Sequence, residues 1–108
     1  MGLWTDTPAI HYRMMPELRV EWRDENNSRF VWVFGEVDLA SAGDLRAALD
    51  CEQPLLVVDL TNVTFMDLAG LKCLVDAAEK HEVVALITSP RVDRLLELTA
   101  TRHLFEIE

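Results

Sequence analysis

The chain has 108 residues, half of them hydrophobic and 27% charged, which suits one domain with its own core and excludes a chain that stays disordered. Asp and Glu number 19 against 10 Lys and Arg, a formal net charge of −9. A surface this acidic repels phosphate backbones and anionic lipid, so no nucleic-acid or membrane partner is expected.

No run approaches the ~18 uncharged apolar residues of a membrane span. The first fifteen residues hold Asp6 and Pro8 and no continuous apolar run, so a secretory signal is not expected and the setting reads as cytoplasmic. Residues 1–17 show no period and read as a flexible leader, with the folded domain over 18–108.

From Leu18 the pattern alternates, with Leu18, Val20 and Trp22 on one face and Arg19, Glu21 and Arg23 on the other, as in a half-buried strand. Residues 24–28 are turn chemistry, and 30–34 run apolar. Together they predict a hairpin whose second strand is the more central. Gly35 ends it. Ser41, Ala42, Gly43 and Asp44 match a capping box, followed by a helical stripe of Ala42, Leu45, Ala48 and Leu49.

Residues 55–60 read as a strong strand, 61–66 as a loop, and Asp67 as the start of a helix with Leu71, Leu74, Val75 and Ala78 on one side. Residues 83–88 predict another strand. Ser89 and Pro90 are an N-cap and a first-turn proline for a third helix, which buries Val92, Leu95, Leu96 and Thr99. Residues 104–107 suggest a short closing strand. The order β-β-α-β-α-β-α implies an α/β fold with a mixed, mostly parallel sheet of four to five strands.

Catalytic signals are thin, and no enzyme activity is expected. Four glycines form neither GxGxxG nor a phosphate loop. Glu36 and Asp38 lie two apart, as solvated acids of a strand-to-helix loop or as a carboxylate pair, and the loop reading is preferred. His81 follows Lys80 at a helix end, where a cation suits the dipole. No metal or cofactor is expected.

The two cysteines, Cys51 and Cys73, have no zinc-ligand spacing and suit a reducing compartment. At about 100° per residue Cys73 falls opposite the apolar stripe of its helix, which predicts an exposed thiol and, with Cys51, a possible redox pair.

The segment from Val63 to Leu71 stands out, because it places an acidic N-cap and a helix start directly after a buried strand. With residues 33–38, Asp59 and Leu60, Ser89 to Val92, and Leu95 to Thr99, it resembles the STAS domain of bacterial anti-sigma factor antagonists, in order and spacing over 18–108. The resemblance implies a regulatory interaction module that binds an anti-sigma factor, often a serine kinase, and thereby frees a sigma factor. It implies a recognition surface from Glu36, Asp38 and Ser41 and from Asp67, Leu68, Ala69 and Gly70.

The family's phosphorylated Ser or Thr stands directly before the glycine. Here that position is Ala69, preceded by Leu68 where a hydroxyl is usual. Phosphorylation at Ala69 is therefore impossible, and control is left to abundance, a thiol or the partner. Two other readings remain open: a STAS partner of a lipid-transport ABC ATPase or another signalling assembly, and a nucleotide-binding domain. Oligomeric state is open as well.

Overall fold

A computed structural model describes residues 10–15 and 17–108. Its sheet has six strands: β1 (His11–Met15), β2 (Leu18–Glu25), β3 (Ser28–Val37), β4 (Leu55–Met66), β5 (Val83–Ile87) and β6 (Glu106–Ile107). Their order in the sheet is their order in the chain. The first three pair antiparallel, and β3 through β6 pair in parallel. Helices α1 (Ala42–Leu49), α2 (Leu68–Lys80) and α3 (Pro90–Thr99) fill the three parallel crossovers, and a short 3-10 turn (Arg102–Leu104) precedes β6.

The alternation expected of β2 and β3 sets the core. Val20 lies opposite Val33, and Val31 opposite Val58, with Leu56 beside Val84 and Val58 beside Leu86 on the same face. Leu45 and Leu49 of α1, Leu71 and Leu74 of α2, and Val92 and Leu96 of α3 join these in one buried cluster. All three helices thus turn their apolar stripes to the same side of the sheet. The opposite side carries Phe30, Trp32 and Phe34, half-buried. Phe30 and Trp32 stack with ring centroids 6.5 Å apart, and Arg19 and Arg23 lie over Phe34 and Trp32.

Three expectations change. The strand count is six rather than four to five, because β1 forms within the segment read as a leader; residues 1–9 lie outside the described ones. An edge strand is held by its backbone ladder and imposes little side-chain pattern, so periodicity does not announce it. Second, β4 continues through the predicted loop to Met66, as suits a stretch rich in Thr, Val and Phe.

Third, Ser41 does not cap α1 with its side chain. Its hydroxyl lies within hydrogen-bond distance of the Asp38 amide and carboxylate and of the Glu36 carbonyl. A short hydroxyl in a tight turn finds local backbone partners as readily as the helix amides.

The other two caps form as expected. Asp67 Oδ1 accepts from the amides of Ala69 and Gly70 at 2.9 and 3.2 Å, and Ser89 Oγ accepts from the Val92 amide. His81 closes α2 and is buried, its ring nitrogens 2.6 Å from the Gln53 carbonyl and 3.0 Å from the Leu49 carbonyl. It therefore ties the end of α2 to the end of α1, a role beyond the dipole contact that its position suggests.

Candidate functional site

The parallel strands β3 and β4 end side by side, with Glu36 paired to Phe65 and Val37 to Met66. The chain then leaves β3 into the 36–41 loop and leaves β4 directly into α2. A hydrogen bond from the Asp67 amide to the Val37 carbonyl, 3.1 Å, closes the corner between the two exits. The structure thus brings together the two segments singled out from the sequence.

Their residues have different parts. Asp38 organises the loop: its carboxylate accepts from the Ser41 amide at 3.0 Å, and its carbonyl accepts from the Ala42 amide at 2.7 Å. Ser41 is buried and faces inward, so it shapes the loop and leaves the surface to its neighbours. Gly70 is buried as well. A methyl group there would lie 2.8 Å from both Val37 Cγ1 and Met66 Cγ, so only glycine lets α2 seat this close to the strand ends. Ala69 is half-buried and packs against the core, while Leu68 beside it is 66% exposed.

Leu39, in the loop, is 83% exposed. It did not stand out in the sequence, because one leucine in a polar loop carries no periodic signal. Phe65, also exposed, lies in the segment that the sequence singles out, but its expected loop is the end of β4.

A second glycine sets the rim's charge. Gly35 has φ +102°, and a Cβ there would meet the Glu17 carbonyl oxygen at 2.2 Å. Glycine allows the turn before β2 to approach, and the Glu36 amide donates to that same carbonyl at 2.8 Å. The Glu17 carboxylate is thereby held near Glu36 and pushes the Glu36 carboxyl above its ordinary value, with smaller contributions from burial and from Asp38.

The thiol expectation is corrected. Cys73 is buried rather than exposed, its Sγ 3.4 Å from the carbonyl oxygens of Ala42 and Ala69. Helix α2 packs on α1 as well as on the sheet, so the flank opposite its main stripe is covered too. Cys51 is also buried, and both thiols are free. Burial pushes both up from the usual thiol range, which disfavours the reactive thiolate. Among the described residues no helix is long and apolar enough to cross a membrane, and no group of His, Cys, Asp or Glu is placed to hold a metal ion.

Known proteins share this arrangement. The STAS domain family model matches residues 20–108. Anti-sigma-B factor antagonists of Listeria monocytogenes and Listeria innocua are each 33% identical over 87 residues, covering 72% of this chain and 76% of theirs. The crystal structure of an anti-sigma factor antagonist from Mycobacterium paratuberculosis superposes with a TM-score of 0.77 at 27% identity, covering 88% of this chain and 89% of that one. The unphosphorylated anti-sigma factor antagonist SpoIIAA shares the fold at a TM-score of 0.62 and 15% identity, over 93% of this chain and 88% of its own. A match running from β2 to the last residue, with relatives this similar along most of their length, makes this chain a STAS domain protein of the family that contains the anti-sigma factor antagonists.

Proposed function

We propose that this chain is an anti-sigma factor antagonist that works by protein–protein contact and without catalysis, docking on an anti-sigma factor of the serine-kinase type. The contact surface is the rim built from Glu36, Asp38 and Leu39 on one side and Asp67, Leu68 and Ala69 on the other. The observation that carries this reading is the pair of exposed leucines, Leu39 and Leu68, on segments joined through the Asp67–Val37 hydrogen bond. Large apolar side chains on a rim of carboxylates are positioned for burial by a partner.

Ala69 makes the module permanently competent. Phosphate would add about −1.5 to −2 charges beside carboxylates already crowded together. Alanine has the size and neutrality of an unmodified serine and accepts no phosphate.

Affinity capture from the source cytosol with tagged wild type and Asp67→Arg tests the reading. Recovery of an anti-sigma factor by wild type alone supports it; recovery of an ABC ATPase instead, or nothing, overturns it. Incubation with the recovered kinase should then phosphorylate Ala69→Ser and release it, while wild type stays bound.

A further inference from the structure

Helix α3 has a second, outward stripe. Val92 and Leu96 enter the core and half-buried Leu95 packs against it, while Arg91, Arg94 and Leu98 are exposed and recur with Leu95 at helical spacing. With Phe65 and Met66 from the end of β4 they line a groove of about 200 Å³. Phe65 is 40% exposed and Leu98 70%. Met66 also packs where a side chain on Gly70 would be, so one buried side chain lies between the groove and the start of α2. Its volume lies below the ~300–1,000 Å³ of small-molecule pockets and suits one or two aliphatic side chains.

The charges give the groove a direction. The chain carries −9, and every other lysine or arginine whose side chain is described sits in an ion pair with a carboxylate. Arg91 and Arg94 have no ion pair among the described residues, although acids outnumber bases nearly two to one. They stand three apart on one helix, where like charges repel. Asp93 between them is engaged by Arg102.

We propose that this groove receives an acidic, amphipathic helical segment of a protein partner. Its aliphatic side chains enter between Phe65 and Leu98, and its carboxylates meet Arg91 and Arg94. The inference rests on the function proposed above for the identity of that partner, the anti-sigma factor. A nucleic acid is disfavoured as the occupant, because the apolar walls offer nothing to a phosphate backbone and the net charge repels it.

Two synthetic amphipathic peptides of about four helical turns, with the same leucine stripe flanked by Glu in one and Lys in the other, test the groove on the 15N-labelled full chain. At low salt the Glu peptide should shift the amide signals of Phe65, Arg91, Arg94 and Leu98, and the Lys peptide should not. The double variant Arg91→Glu with Arg94→Glu should bind the Glu peptide about tenfold more weakly and come to prefer the Lys peptide, while Arg91→Lys with Arg94→Lys keeps the original preference.

Equal binding of both peptides, or shifts confined to Phe30 and Trp32 on the far side of the sheet, overturns the proposal. A second arm uses the purified anti-sigma factor recovered by wild type. If the double Glu variant binds it as tightly as wild type while Asp67→Arg does not, the groove inference fails and the function stands. If wild type recovers no anti-sigma factor, the function and the named occupant fail together, while the peptides still decide whether the groove takes an acidic helix.

Discussion

Val37 and Gly70 touch so closely that the strand end and the first turn of α2 have no space for one more methyl group. The proposed contact rim is therefore set by core packing, and its geometry is coupled to stability. Gly70→Ala adds a methyl group to a filled space, at a cost of about 1–3 kcal/mol, partly offset by roughly 1 kcal/mol of gained helix propensity. The expected net loss is up to about 2 kcal/mol, read as a fall in Tm of roughly 4–8 °C for each kcal/mol. An unchanged Tm would show that Val37 and Met66 yield freely.

The acid crowding at the rim has a sign that titration can read. Glu36 is held above its ordinary value chiefly by Glu17. A carboxyl raised in the fold contributes stability fully at low pH, and that contribution is lost as pH rises through the folded value. Glu17→Gln should therefore raise Tm at pH 7 and leave it unchanged at pH 3.

Asp24 has the opposite sign. Arg29 Nε and Nη2 donate to its two carboxylate oxygens at 2.6 and 2.9 Å and hold its carboxyl below the ordinary value. Its contribution is present above the ordinary carboxyl range and lost as pH falls through the lowered value. Asp24→Asn should lower Tm at pH 7 and converge with wild type at pH 2. Parallel pH–Tm curves for these variants and wild type would contradict both assignments.

Both thiols should be silent toward an aromatic disulfide reagent in the native protein and react fully once guanidinium unfolds it. Burial closes access and disfavours the thiolate at Cys51 and Cys73 alike. Rapid stoichiometric labelling of the folded chain would mean that α1 and α2 open readily.

His81 spans two carbonyls of one crossover, that of Leu49 at the end of α1 and that of Gln53 in the loop before β4. His81→Ala leaves the Leu49 and Gln53 carbonyls without this partner and should cost about 1–3 kcal/mol, measured by chemical unfolding. A loss below about 0.5 kcal/mol, the range of ordinary surface changes, would show that water replaces the ring.

Much of this architecture was legible in the residues. The alternation of Leu18, Val20 and Trp22, the apolar run through Trp32, and the caps at Asp67 and Ser89 placed the hairpin, the crossovers and the start of α2. The missed features share a physical cause, since each depends on what packs against the segment. Nothing in residues 11–15 declares an edge strand, and the helical wheel of α2 places Cys73 outward only until α1 covers that flank. The hydroxyl of Ser41 chose among several nearby partners. The groove joins Phe65 to Arg94 and Leu98, far along the chain, so no local window contains it.

The sheet's spatial order repeats its chain order from β1 to β6. Each strand after the first meets a partner that has already been synthesised, and no strand has to be inserted between two others. The sheet can therefore grow at one advancing edge, beside the last strand made, as the chain emerges from the ribosome, which keeps the loops to be closed short. That edge ends on the two residues of β6, too short to recruit a stray strand.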